Sequence, residues 1–250
     1  AQALSLPLDQ VLISSTGRIG RRLPIDRMEA AVSGLVQSLS NGPEQGRKAS
    51  EAILTSDTRP KTVTVTTEIQ GKAITLSGMA KGAGMIQPDM ATMLAYVATD
   101  AELTPDLASK LLKTASDQSF NVITVDGDMS TNDTVVLMAS GASGISIQES
   151  DTESLHLFQE ALDVICWKLA SAIVGDGEKI SRVVTVEITG ARSSQDAEKV
   201  ARCIGNSLLV KSSWYGGDPN WGRLLDAAGY ARVGIEEEKL DLYYDRTPVF

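Results

Sequence analysis

Two periodicities alternate along the chain, one of about two residues and one of about 3.6, with glycine- and proline-rich breaks between them. Val11 to Ser14 predicts a short strand running into a turn at Ser15-Thr16-Gly17. From Asp26 to Leu39, the residues Met28, Ala31, Val32, Leu35 and Val36 share one helical face, and Asp26 is the expected cap. The run Ser40 to Gly46 breaks that pattern as a loop. Thr62 to Ile69 and Lys72 to Ser77 are β-rich, and Gln70-Gly71 between them predicts a hairpin. After the glycine-rich Lys81-Gly-Ala-Gly84, the stretch Thr92 to Thr99 is short and uniformly apolar, which predicts a buried strand.

The second half continues the mixture. A helix is expected from about Pro105 to Ser116, capped by Thr104 or Asp106. Strands are expected over Asn121 to Val125, Thr134 to Ala139 and Val183 to Ile188, and helices over Thr152 to Val174 and Ser194 to Leu208. Gly175-Asp-Gly-Glu178 is a polar turn. This order is neither strict βαβ alternation nor a run of short strands, and it predicts an α+β fold of layered helices and mixed sheets.

Composition narrows the chemistry. At 250 residues and 42% hydrophobic, the chain can bury a substantial core. Its net charge of −9 argues against nucleic acid or an anionic membrane surface as partner, since both call for a basic footprint. It contains no apolar run of membrane-spanning length, and its first ten residues lack the basic start and apolar stretch of a secretory signal. We therefore expect a cytoplasmic protein. Cys166 and Cys203 lie far apart in apolar-periodic segments, so buried thiols are expected in place of a disulfide or metal site. The single histidine, His156, falls on an amphipathic helix. That scarcity argues against a histidine-based triad or histidine-rich zinc site, so any nucleophile is expected to find its base elsewhere.

Met90-Ala91-Thr92 offers one such base. Cleavage before Thr92 would give that residue both a hydroxyl and a free α-amine, a complete nucleophile and base. An α-amine has a pKa of about 7.7–8.0, so modest lowering leaves it neutral at working pH. Taken alone, a threonine in an apolar run is more simply a β-branched strand residue. Two other motifs fail on inspection. Asp126 to Asn132 begins like a calcium loop, but Thr131 and Leu137 stand where glycine and glutamate are needed. Gly17-Arg-Ile-Gly20 lacks the glycine arrangement of a dinucleotide fingerprint.

Longer blocks carry more weight. Lys81 to Ala101 (KGAGMIQPDMATMLAYVATDA) closely resembles the self-cleavage segment of the ornithine acetyltransferase (glutamate N-acetyltransferase) family. Four further blocks resemble it in the same order: Ser15 to Gly20, Ala52 to Lys61, Ser119 to Thr134, and Asp218-Pro-Asn-Trp-Gly-Arg223. The likeness runs from about residue 8 to residue 233. It implies autoproteolysis between Ala91 and Thr92, with residues 1–91 as an α-chain part, residues 92–250 as a β-chain part, and both contributing to one active site. The mature Thr92 would then pass an acetyl group from N2-acetylornithine to glutamate, in arginine biosynthesis.

The same resemblance makes Thr16 and Gly17 the oxyanion-hole pair and Thr58, Lys81 and Glu178 substrate-binding residues together with Thr92. Lys81 with Thr58 would serve the substrate carboxylate and Glu178 its amine. After Glu178 the chain runs Lys179-Ile-Ser-Arg182, where the family has small residues. Asp218 to Arg223 is expected as a structured loop near the site, with Trp221 and Arg223 packing. Family members extend beyond both ends of this stretch, and a C-terminal tail adds substrate-binding polar residues. The resemblance implies no metal or organic cofactor, leaves acetyl-CoA open as a second acetyl donor, and suggests a heterotetramer of cleaved chains. Two alternatives stay open: a related N-terminal-nucleophile aminopeptidase or amidase, and a non-catalytic, uncleaved fragment.

Overall fold

A computed structural model describes residues 1–87 and 93–250 of the chain. Its centre is a four-stranded sheet of β1 (Lys61–Ile69), β2 (Lys72–Lys81), β3 (Leu94–Thr99) and β4 (Thr134–Ala139), in that order. The first two pairings are antiparallel and the third is parallel. The hairpin at Gln70-Gly71 forms as expected, with φ of 52° and 73° at its two central residues. Both lie in the left-handed region that a two-residue primed turn requires. Gln70, which lacks glycine's freedom, is also held by its side chain, whose Nε2 donates to Asp151 Oδ2 at 3.1 Å.

β3 and β4 run parallel, so the chain must cross over between them. The crossover carries α3 (Pro105–Asp117), and Thr104 is its cap, accepting from the Leu107 amide at 3.3 Å. α4 (Thr152–Val174) covers the sheet with Phe158, Leu162, Ile165, Leu169 and Ile173 fully buried, a helical stripe. It comes so close to β2 that a Cβ on Gly78 would lie 2.9 Å from Leu169 Cδ1 and 3.2 Å from the Tyr96 carbonyl oxygen. Sheet, α3 and α4 share one hydrophobic core. A second, smaller core joins α5 (Ser194–Asn206), α6 (Leu208–Gly216) and α7 (Trp221–Gly229), and a two-stranded ribbon of β5 (Tyr243–Tyr244) and β6 (Thr247–Pro248) lies beside it. The α+β expectation holds.

Several local expectations do not. Val11 to Ser14 pairs with no strand among the described residues, and Leu12 and Ile13 stay exposed. Asn121 to Val125 contains a turn of 3-10 helix (Phe120–Val122) in place of a strand, and Phe120 and Ile123 reach the core from it without a ladder. Val183 to Ile188 alternates correctly, but a strand needs a partner and none is present among the described residues. Val186 and Ile188 instead pack on the second core.

The helix expected over Ser194 to Leu208 breaks at Ser207, whose extended ψ of 116° ends α5 and whose hydroxyl caps α6. α1 (Ile25–Gln37) starts at Pro24 without a side-chain cap, so Asp26 lies in its first turn, and its apolar face is not buried. The expected loop after it yields at Pro43, the first residue of α2 (Pro43–Ala52), where a missing N–H costs nothing.

A clamped loop and a buried charge cluster as candidate active site

Thr92 and Ala91, the expected nucleophile and cleavage point, fall outside the described residues. The chain on either side of them is tightly held. On the upstream side, the Gly82 amide donates to Asp57 Oδ1 at 2.6 Å. The Glu178 amide donates to the Ala83 carbonyl at 2.8 Å. The Met85 and Ile86 amides donate to the two Asp126 oxygens at 2.5 and 2.9 Å, with Met85 at a φ of 59°. Asn206 Nδ2 then donates to Gln87 Oε1 at 2.5 Å. Downstream, the Thr134 amide donates to the Met93 carbonyl at 3.0 Å, starting the β3–β4 ladder. Carboxylates accepting backbone amides in this way make strong, charge-assisted bonds.

Behind the loop lies a buried ion network. Lys61, at the start of β1, bridges Asp57 Oδ1 at 2.5 Å and Asp176 Oδ2 at 2.6 Å, all three side chains at most 3% exposed. Asp176 also accepts the Thr58 amide at 2.9 Å and the Thr58 hydroxyl. Burial alone would raise the Asp176 carboxyl, but the bonds from Lys61 and Thr58 outweigh it and hold it down at about 2. Burial likewise acts to raise Asp57, and the Gly82 amide and Lys61 more than offset it, so that it too lies below the usual carboxylate range. Outside the network, Arg59 Nη2 reaches the Gly175 carbonyl at 3.1 Å. The 55–60 loop is thereby stitched to the turn that ends α4.

Lys81 ends β2 beside this network, 5% exposed and with no hydrogen-bond partner among the described residues. Burial lowers its pKa, Asp57 and Asp133 pull the other way, and Lys61 adds to the lowering. Asp133, just before β4, is the opposite case. Both of its carboxyl oxygens are buried without a hydrogen-bond partner among the described residues. Burial pushes it up to about 7, while the nearby Met93 amide and Lys81 oppose this only in part. An ammonium largely removed from water, with carboxylates near but none bonded to it among the described residues, is well placed to take a ligand's carboxylate.

Of the expected site residues, Thr58, Lys81 and Glu178 come together around this cluster. Glu178 lies exposed at its edge, its carboxyl carbon 2.9 Å from where a Cβ on Gly84 would sit. Thr16 and Gly17 are on an irregular stretch that meets the sheet through a hydrogen bond between Ser14 and Tyr96. Neither makes a hydrogen bond to the cluster among the described residues. The Asp218 to Arg223 block bonds within itself or to α6: Arg223 Nη1 donates to the Leu209 carbonyl at 2.9 Å and meets the Ser212 hydroxyl at 3.1 Å. Trp221 opens α7 and stacks on Phe250 with ring centroids 5.4 Å apart. Trp221 and Arg223 pack, as expected, but the expected loop gives way at Trp221 to the first turn of α7, and the block makes no hydrogen bond to the charge cluster among the described residues. The Asp126 to Asn132 side chains are expected to hydrogen-bond a turn beside the site, and Asp126 does so. Sequence reasoning missed Asp57, Lys61, Asp133 and Asp176. All lie inside or beside the blocks singled out above, but nothing in their spacing says which of them meet.

Fold and cluster together define an α+β protein with a buried mixed-charge cluster beside the hydrogen-bonded 82–87 segment. The family model described as the ArgJ family matches residues 1–250, and the chain belongs to that family. It is 43% identical over 249 residues to the arginine biosynthesis bifunctional protein ArgJ of Dehalococcoides mccartyi, covering 100% of this chain and 60% of that protein. To the protein of the same name from Thermotoga neapolitana it is 42% identical over 245 residues, or 98% of this chain and 61% of the relative. The chain thus spans about 60% of the length of these curated relatives. Among solved structures, the arginine biosynthesis bifunctional protein argJ of Bacillus halodurans superposes with a TM-score of 0.57 at 41% identity, over 60% of this chain and 70% of that one. The likeness seen in five ordered sequence blocks is borne out at the level of the family. No helix among the described residues is long and apolar enough to cross a membrane.

Proposed function

We propose that this chain is the part of an ornithine acetyltransferase that carries the self-cleavage site and most of the acyl-transfer machinery, acting in cytoplasmic arginine biosynthesis. The observation that carries the reading is the clamp on the 82–87 loop together with the buried Lys81, which makes no side-chain hydrogen bond among the described residues, in a chain that matches the ArgJ family throughout. In this reading Thr92 Oγ attacks the Ala91 carbonyl, the peptide bond breaks, and water hydrolyses the resulting ester. Holding the chain on both sides of the reacting bond favours such a step, because orientation is supplied in advance.

The mature Thr92, with its own amine as base, takes the acetyl group from N2-acetylornithine and gives it to glutamate. Thr16 and Gly17 stabilise the tetrahedral oxyanion, where losing one donor typically costs ~10²–10³ in rate. Lys81 holds the substrate carboxylate and Glu178 the distal ammonium; Thr58 joins Lys81 only once its hydroxyl proton, given to Asp176 in the free protein, turns to the substrate. The relatives' names, which call them bifunctional, support acetyl-CoA as a second acetyl donor. The two cleaved chains stay together and pair into a heterotetramer.

Intact mass of the full-length protein, beside a Thr92→Ala control, tests the reading. Cleavage between residues 91 and 92 in the wild type alone, followed by glutamate-dependent loss of acetyl from N2-acetylornithine, is the expected result. Glutamate-independent hydrolysis would favour the amidase reading, and an intact wild-type chain would remove the nucleophile's base and sink both.

A further inference from the structure

Three of the side chains assigned to the substrate, Thr58, Lys81 and Glu178, lie on three separate pieces of chain: the 55–60 loop, the end of β2, and the turn after α4. One buried network joins all three. Asp57, next to Thr58, accepts the amide of Gly82, next to Lys81, at 2.6 Å. Lys61 ties Asp57 to Asp176 at 2.5 and 2.6 Å. Asp176 holds both the amide and the hydroxyl of Thr58, and it lies two residues before Glu178, whose own amide is bonded to Ala83. The end that would bind a carboxylate and the end that would bind an ammonium are therefore braced to each other without either ligand-binding side chain taking part in the ion pairs.

We propose that the Asp57–Lys61–Asp176 brace is a ruler: it fixes the offset between Lys81 and Glu178, and so selects the length of the diamino-acid chain that bridges them. This rests on the substrate reading above. Two buried carboxylates sharing one ammonium resist displacement, because any shift leaves a charge unpaired in a dry interior. A substrate one methylene too long or too short must then leave one of its charged ends short of its partner. Asp57, Lys61 and Asp176 act through other groups and are positioning residues.

The test compares kcat/KM for N2-acetylornithine with that for N2-acetyllysine and N2-acetyl-2,4-diaminobutyrate, one methylene longer and shorter, using the full-length protein. The wild type is expected to prefer ornithine by roughly 10–200-fold, the usual worth of a methylene. Asp176→Asn is expected to cut that preference about tenfold, with KM for N2-acetylornithine raised and kcat within about threefold of wild type. Arg59→Ala frees the same turn from outside without disturbing a buried charge, and is expected to move the preference the same way by less. A brace that merely stabilised the fold would lower activity on all three substrates in parallel, and an unchanged preference in both variants overturns the ruler. So does a wild type that turns over all three equally, with no variant needed. A wild type that transfers acetyl from none of them overturns the substrate reading itself, which keeps the two failures apart.

Discussion

Replacing Lys61 by methionine isolates the buried charge, since the side chain keeps nearly the same length and apolar stem. What disappears is the only cation bonded to both Asp57 and Asp176 among the described residues, whose side chains are 0% and 3% exposed. Breaking a buried pair by removing one partner costs about 3–5 kcal/mol, because the other charge is left uncompensated. The pH dependence follows from the sign of the shift. In the wild type Asp176 is held near 2, below its unfolded value of about 3.9, so its contribution is present above pH 4 and lost only as pH falls toward 2. Without Lys61 the two carboxylates face each other unneutralised and their titration moves upward. The variant should be most destabilised at pH 7.5 and recover part of the loss by pH 5. Urea unfolding followed by far-UV circular dichroism at both pH values measures this, in a Thr92→Ala background so that self-cleavage cannot enter. Hydrogen exchange over residues 57–61 localises it. Lys110→Met is the control: its bridge to Glu149 joins side chains that are 67% and 60% exposed, and little should change. A Lys61→Met loss below about 1 kcal/mol, or one that is the same at both pH values, would refute the network's electrostatic role.

Gly78→Ala should cost about 1–3 kcal/mol in the same unfolding assay, because the new Cβ meets Leu169 Cδ1 at 2.9 Å with the Tyr96 carbonyl behind it; a neutral result would mean that α4 can lift off β2 without penalty. Asp133, pushed up to about 7 by burial, opposes folding as pH rises from about 4 through 7. Asp133→Asn should therefore gain more in Tm relative to wild type at pH 8 than at pH 5, and equal differences at the two pH values would contradict that. Cys166 is fully buried with its thiol pushed up to about 12, first by burial and then by Asp163. Iodoacetamide should leave it unmodified in the folded protein and label it in urea, and rapid native labelling at Cys166 would count against the packing of α4.

What the sequence disclosed and what it hid divide along a physical line. Periodicity reports which face of an element is buried, and it found β1, β2, α3 and α4, whose burial is decided by their own stripes. It failed where formation depends on a distant partner. Val183 to Ile188 alternates as a strand should, yet a strand exists only as a pair, and the pattern cannot say whether the pair is there. Ser207 failed for the opposite reason: its hydroxyl competes with the helix for a backbone amide, so it ends one helix and caps the next inside a continuous apolar pattern.

The candidate site shows the same division. Lys81 and Glu178 were legible only through resemblance, because a lysine in a glycine turn and a glutamate after a helix are otherwise ordinary. The brace beneath them was not legible at all: Asp176 meets Lys61 across 115 residues of chain, and Thr58 across 118. Local spacing carries no trace of such a contact. The immediate neighbours give no hint either: Ser56 and Thr58 beside Asp57, and Pro60 and Thr62 beside Lys61, all stay exposed. Only the tertiary fold draws these charges inward, and a charge drawn inward must find an opposite charge or be neutralised. The partner and the demand for it therefore arise together, in the folded chain.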